Sequence, residues 1–358
     1  MIDPQDFQTR LLGWYDANAR DLPWRRDADP YRVLISEMML QQTRVDTVIP
    51  YYTRFLQEFP DFGSLAAADE DRLLKVWQGL GYYSRARNLK KAAIRVISDF
   101  GGALPDNVAG LRKLPGVGPY SASAVASIAF GKQEVLVDGN VLRVIARIYA
   151  IPDDIRLPGT QERIRAILET LVPAARPGDF NQALMEIGAI RCLPAGKPLC
   201  ADCPFDPFCE ARLNGSTDRI PFRSPAAKRE IRNYTVLVLE ESGRVALEKR
   251  PPEGLLASLW GFPMMDGSLA AEEVKARLGL KGYRVLSIQD LGRRKQVYTH
   301  LEWHMHGYHA LVAAPAGEAA YRWATPGEIL RDHALPKAFT MYFTGVWPED
   351  PETPDMSG

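Results

Sequence analysis

Apolar residues recur at three-to-four spacing through most of the first 213 positions. The pattern predicts amphipathic helices over Phe7 to Tyr15, Val33 to Leu40, Leu89 to Ile97, Ala122 to Phe130, Val141 to Tyr149 and Ile164 to Leu171. Leu22-Pro23, Phe59-Pro60 and Leu157-Pro158-Gly159 separate them as turns. Residues 1–213 therefore read as an all-α domain. Residues 214–233 are polar, with Gly and Pro, and read as an interdomain linker. After Tyr234 the period changes. Val236–Leu239 and Val245–Leu247 flank Ser242-Gly243 and predict a strand hairpin. A short helix over roughly 270–279 follows. Residues 234–348 read as a smaller α+β domain, and 349–358, rich in Pro, Asp and Glu, as a disordered tail. No internal repeat or low-complexity tract interrupts this order.

Composition adds little to that picture. The chain has 358 residues, 46% hydrophobic and 25% charged, as in ordinary globular domains. No apolar run approaches the roughly 20 residues that span a bilayer. No basic stretch followed by an apolar one opens the chain, so a cytoplasmic location is expected. The 44 basic and 44 acidic residues cancel. Their distribution is uneven: Arg85, Arg87, Lys90, Lys91 and Arg95 have no acid among them, and Arg219, Arg223, Lys228, Arg229 and Arg232 have only Glu230. These runs read as solvated faces or as a footing for nucleic acid.

Three features carry candidate chemistry. Leu114-Pro115-Gly116-Val117-Gly118 lies between two helical segments, with Pro119 suited to a first helical position. Its glycines allow close backbone approach, and free amides at the helix start suit a phosphate. Glu37 sits beside Met38, Met39 and Leu40. Desolvation there should raise its pKa and let it hold a proton near neutrality. Asp138 precedes Gly139 as a helix cap, a place that favours the ionised form. Two carboxylates with opposed demands suit glycosidic cleavage: one protonates the leaving group and one faces a cationic sugar. Finally, the four cysteines follow Cys192-x7-Cys200-x2-Cys203-x5-Cys209. That spacing suits either a [4Fe–4S] cluster or tetrahedral zinc.

Leu-Pro-Gly-Val-Gly at 114–118 followed by Val-Asp-Gly-Asn-Val-Leu-Arg-Val at 137–144 resembles the helix-hairpin-helix DNA glycosylase superfamily. Leu22-Pro23-Trp24-Arg25, Ser36-Glu37-Met38-Met39-Leu40-Gln41-Gln42-Thr43 and Gly79-Leu80-Gly81-Tyr82-Tyr83-Ser84-Arg85 narrow this to the MutY adenine glycosylases. The resemblance covers nearly all of residues 7–212 and continues more weakly beyond. It implies a multidomain fold: an all-α helix-hairpin-helix glycosylase domain over 1–213, with an iron–sulfur loop at 192–209, and an α+β MutT-like (Nudix-fold) domain over 234–348. It further implies removal of adenine paired with 8-oxoguanine or guanine, with Glu37 as acid, Asp138 as cation stabiliser, and Asn140 and Tyr120 in support. By the same resemblance Arg20, Trp24, Arg25, Leu40, Thr43 and Gln182 form the adenine pocket. Gln41 and Gln42, mid-helix by pattern, with Leu80, Tyr82, Arg85, Gly116 and Gly118, meet DNA.

The cysteines Cys192, Cys200, Cys203 and Cys209 would hold [4Fe–4S], although the family has six residues, not seven, in the first gap. Tyr298-Thr299-His300 matches the family's Phe-Ser-His loop for 8-oxoguanine. No glutamate-rich metal box is found in residues 261–280, so recognition rather than nucleotide hydrolysis is expected. Tyr120 stands where the related endonuclease III carries a Schiff-base lysine, so base removal without strand cutting is expected. The resemblance implies a monomer acting on double-stranded DNA in the bacterial cytoplasm, at the nucleoid, with no membrane and with other repair or replication proteins as further partners. The alternatives are an endonuclease III-like lyase on damaged pyrimidines and a catalytically inactive cluster-bearing DNA-binding protein.

Overall fold

The structure is a computed structural model that describes residues 2–225, 228–313, 315 and 321–347. The tail expected to be disordered, 349–358, lies outside the described residues. The chain divides into two compact units, 1–67 with 88–226 and 68–87 with 227–358.

In chain order the helices up to residue 213 are α1 (Pro4–Asn18), α2 (Pro30–Leu40), α3 (Val45–Glu58), α4 (Phe62–Ala67), α5 (Glu70–Val76), α6 (Ser84–Phe100), α7 (Val108–Leu111), α8 (Pro119–Phe130), α9 (Gly139–Ile148), α10 (Pro158–Leu171), α11 (Pro177–Ile190) and α12 (Glu210–Leu213). In the first unit, α9 packs against α11, α12 and α10, and α1 packs against α11 and α10. The apolar α9 positions Val141, Val144, Ile145 and Ile148 form one stripe that meets Phe7, Leu11, Phe180 and Leu184. Each such buried side chain stabilises the fold by roughly 1.5–3 kcal/mol relative to exposure.

Residues 68–87 fall within the helical sequence pattern of 1–213, yet they pack inside the second unit. Lys75 Nζ donates to the His333 carbonyl at 3.2 Å, and Lys249 pairs with Asp71 at 2.7 Å. Periodicity shows that α5 has an apolar face but cannot show which core receives it. The linker expected at 214–233 is also partly structured. Ile220 and Phe222 carbonyls accept from Arg147 Nε (2.7 Å) and the Ile155 amide (3.2 Å), and a strand already begins at Glu230.

The second unit is built on a mixed sheet. Its strands are β1 (Glu230–Glu241), β2 (Arg244–Lys249), β3 (Trp260–Gly261), β4 (Met264–Asp266), β5 (Arg284–Val297), β6 (Leu301–Ala313) and β7 (Arg322–Ala324). The order is β3-β2-β1-β6-β5, with β4 beside β1 and β7 beside β2; β1 and β6 are parallel. The predicted hairpin is present, with Glu241 opposite Arg244. Ser242 and Gly243 both have positive φ, as a tight two-residue hairpin turn requires. The expected short helix is α13 (Ala271–Leu280), followed by α14 (Pro326–Asp332) and α15 (Lys337–Val346). Val274 and Leu278 of α13 close one face of the sheet, and Phe339, Tyr342 and Phe343 of α15 close the other.

Candidate active site

Helix α2 starts from an Asp29 cap on the Arg32 amide with Pro30 at its first position. It carries Glu37 into the first unit, followed by the buried Met38 and Met39, leaving Glu37 6% exposed. Burial pushes its carboxyl up to about 7; the Asp138 charge adds to this, while a hydrogen bond from Tyr120 and the Arg25 charge oppose it. The first turn of α8 presents Tyr120, whose hydroxyl also lies 3.2 Å from Met185 Sδ.

Asp138 caps α9, its Oδ1 accepting from the Val141 amide at 2.7 Å. Asn140 Nδ2 donates to its Oδ2 at 2.8 Å. These hydrogen bonds favour the ionised form of Asp138, but burial works against them. Burial raises its pKa, against the opposing hydrogen bonds from Val141 and Asn140 and the charge of Arg143. Sequence shows the cap but not how deeply the cap is enclosed.

Three unforeseen residues fix this geometry. Asn181, fully buried, accepts from the Leu136 amide (3.1 Å) and donates to the Glu134 carbonyl (2.8 Å), so it pins the segment leading to Asp138. Gly188 lets α11 approach α9: a Cβ there would lie 2.5 Å from Asn140 Cβ. Arg143, buried, donates to Asn140 Oδ1 (2.9 Å) and to the carbonyls of Gly188 (2.7 Å) and Cys192 (2.7 Å).

Glu37, Asp138, Asn140 and Tyr120 line one cavity of about 180 Å³ together with Arg20, Trp24, Arg25, Leu40, Thr43 and Gln182. The ten come from five separate stretches of sequence: 20–25, 37–43, 120, 138–140 and 182. The cavity also holds Glu186, which sequence reasoning missed. Glu186 lies four residues after Gln182 on α11, a helical spacing that could have suggested it. Burial pushes its carboxyl up, but hydrogen bonds from Arg20 and Arg25 outweigh this and hold it at about 2. No lysine is among the described residues lining the cavity. Lys132 is exposed and pairs with Asp106 at 2.6 Å.

The residues expected to meet DNA divide. Gly116 has φ +80°, and a Cβ there would lie 2.6 Å from Asn88 Cβ. Gly118 caps α8 in open space, leaving the first amides of that helix uncapped by a side chain. Gln41 and Gln42 are not mid-helix. α2 stops at Leu40; Gln41 Nε2 donates to Ser121 Oγ at 3.0 Å, and Gln42 is exposed with φ +58°. Tyr82 is likewise an exposed non-glycine residue with positive φ. Such backbone strain is often kept at functional positions.

Leu80 and Arg85, also expected to meet DNA, are buried. The Arg85 guanidinium donates to the Leu80 (3.0 Å) and Gly81 (3.1 Å) carbonyls and lies over the Trp77 and Tyr82 rings. A basic residue in a run of cations reads as solvated, but this loop's turned carbonyls recruit it inward.

Cys192, Cys200, Cys203 and Cys209 are unbridged and line one small cavity of about 30 Å³. Arg147 Nη1 lies 3.3 Å from Cys192 Sγ. Among the described residues, no group of three or more His, Cys, Asp or Glu side chains is set for a single metal ion. In the second unit, Tyr298, Thr299 and His300 form the turn between β5 and β6. They line a cavity of about 490 Å³ with Tyr82, Tyr83 and Leu255, and Thr299 Oγ1 lies 3.4 Å from the Tyr82 hydroxyl. Of the acids in α13, Glu273 accepts from the Ala270 amide and Glu272 pairs with Lys275.

Residues 35–174 match the family described as HhH-GPD superfamily base excision DNA repair protein, and residues 234–344 match the NUDIX domain. These define a helix-hairpin-helix DNA N-glycosylase of base excision repair joined to a Nudix-fold domain. The adenine DNA glycosylase of Mus musculus is 36% identical over 96% of this chain and 79% of its own length. That of Homo sapiens is 40% identical over 72% of this chain and 57% of its own length, so the chain spans little more than half of that relative. A solved structure described as a thermostable thymine-DNA glycosylase is 34% identical, with a TM-score of 0.54, over 59% of this chain and 97% of that one. The chain belongs to the adenine DNA glycosylase family.

Proposed function

We propose that the protein releases adenine from double-stranded DNA where it is mispaired with 8-oxoguanine or guanine, and does not itself cut the strand. One observation carries this reading: a protonatable Glu37 and a capped Asp138 face the same lysine-free cavity. The adenine leaves the stack and enters that cavity. Glu37 donates its proton to N7 of the base, and the N-glycosidic bond breaks with its electron pair leaving on adenine. The sugar becomes an oxocarbenium ion, which the Asp138 carboxylate stabilises. Glu37, now ionised, takes a proton from water as the oxygen adds to C1′. As the bond breaks, the positive charge that develops on the sugar favours the ionised Asp138 that burial alone disfavours.

A lyase needs an amine at the sugar, and the cavity wall offers Tyr120 in that place. Thr299 Oγ1 beside Tyr82 is read as an acceptor for the N7 hydrogen that distinguishes 8-oxoguanine from guanine. The four thiols fit a [4Fe–4S] cluster: all four line one small cavity, and four cysteine thiolates are the donor set such a cluster takes. The cluster's role would be structural, holding the 192–209 loop. Brown protein with iron and inorganic sulfide supports this, and colourless protein with one bound zinc overturns it.

Incubation of purified protein with an end-labelled adenine:8-oxoguanine duplex tests the reaction. Strand breaks that appear only after alkali treatment support it. Breaks without alkali, or none in either case, overturn it.

A further inference from the structure

The carboxylate of Glu186 is enclosed in the cavity wall, its side chain 1% exposed. It accepts from Arg20 Nε (2.7 Å), Arg20 Nη2 (3.0 Å), the Arg20 amide (3.2 Å) and Arg25 Nη2 (2.8 Å). Arg25 then donates through Nε to Gln182 Oε1 at 3.2 Å. That bond occupies the amide oxygen, so Gln182 offers its nitrogen as donor to a ring in the cavity. Adenine has bare ring nitrogens that accept such a donor. A buried charge with one partner removed is costly, so this arrangement is under strong constraint.

On the reading that the cavity receives adenine, we propose that Glu186 is a positioning residue: it aims and neutralises Arg20 and Arg25 and, through Arg25, sets Gln182 with its donor toward the base. It touches no reacting atom. Two consequences follow. Without its carboxylate, Arg25 and Gln182 lose their aim and the base is held less well. Without its charge, Arg25 acts unbalanced on Glu37. The charged and titratable groups facing Glu37 are Tyr120 from α8, Asp138 before α9 and Arg25. Those facing Glu186 are Arg20, Arg25 and, from α1, Tyr15; Asp46 of α3 acts on Arg20. An unbalanced Arg25 favours ionised Glu37, so the acid loses its proton at lower pH.

The test is the pH profile of adenine release under single turnover for native protein, Glu186→Gln and Glu186→Asp. In the native profile the rate falls with rising pH as Glu37 ionises. For Glu186→Gln the expected result is a rate at least about tenfold lower at neutral pH, with the alkaline limb displaced about one unit downward. For Glu186→Asp, which keeps the charge but shortens the reach, the rate falls while the limb stays at its native pH. A structural role alone lowers folded protein in both variants and moves neither limb. Native release with an unmoved limb in Glu186→Gln overturns the inference while leaving the adenine reading intact. No adenine release by native protein overturns that reading and the inference with it. If Glu186→Gln does not fold, Glu186→Asp decides on folded, duplex-binding protein: a reduced rate per folded molecule supports the inference, and a native rate overturns it.

Discussion

Asn140 ties Asp138 to a buried cation: its Nδ2 donates to Asp138 Oδ2 at 2.8 Å while its Oδ1 accepts from Arg143 Nη2 at 2.9 Å. The amide can do both only in one orientation, which Arg143 sets. Asn140→Ala removes one of the hydrogen bonds that oppose the upward pull of burial on Asp138. A hydrogen bond to a charged group contributes about 1.5–3 kcal/mol, so adenine release should slow roughly ten- to hundredfold. Single-turnover kinetics with duplex binding measured in parallel checks this; binding should change far less than the rate.

The buried Glu37 makes the fold less stable as pH rises. Its folded pKa of about 7 lies above the ordinary 4.5, so between these values the folded chain binds more protons than the unfolded one. Stability therefore declines as pH climbs through that window and stays reduced above it. Glu37→Gln removes the penalty. It should match native stability near pH 4 and exceed it above pH 7 by roughly 2–3 kcal/mol. Denaturant midpoints at pH 5 and pH 8.5 give the comparison; a variant less stable than native at both would contradict the placement.

The two hairpin glycines should respond differently to alanine. At Gly116 the backbone has φ +80° and the new methyl would meet Asn88 at 2.6 Å, so Gly116→Ala should lose about 1–3 kcal/mol of stability. At Gly118 the backbone is extended and the space is open, so Gly118→Ala should fold normally. If DNA backbone approaches there, Gly118→Ala binds duplex more weakly while melting at the native temperature. Equal binding by Gly118→Ala and native protein would remove Gly118 from the DNA contacts.

Thr299→Ala removes the hydroxyl that lies 3.4 Å from that of Tyr82. Adenine opposite 8-oxoguanine should then be released more slowly, with little change opposite guanine. The ratio of the two rates is the readout, and an unchanged ratio would assign the turn at 298–300 to structure alone.

Much of this site is legible in the sequence because its residues carry local signals. Asp138 before Gly139 reads as a cap, Pro119 as a helix start, and Glu37 among methionines as a desolvated acid. Ser242-Gly243 reads as a tight turn between alternating strands. What stays hidden depends on distant packing. Glu186 looks like an ordinary helical glutamate until Arg20 and Arg25 arrive from over 160 residues away. Arg85 looks exposed until the turned carbonyls of Leu80 and Gly81 are in place. Gly188 and Asn181 act on backbone that no local pattern connects to them. The packing of 68–87 with the second unit depends on which core accepts an apolar face, and periodicity cannot state that.

The account rests on Glu37 and Asp138 acting as unlike partners on one adenine. The most direct measurement is single-turnover release from an adenine:8-oxoguanine duplex by native protein, Glu37→Gln and Asp138→Asn, each shown to bind the duplex. Both variants should bind as native does and release almost no adenine. Release at the native rate by either variant would contradict the account.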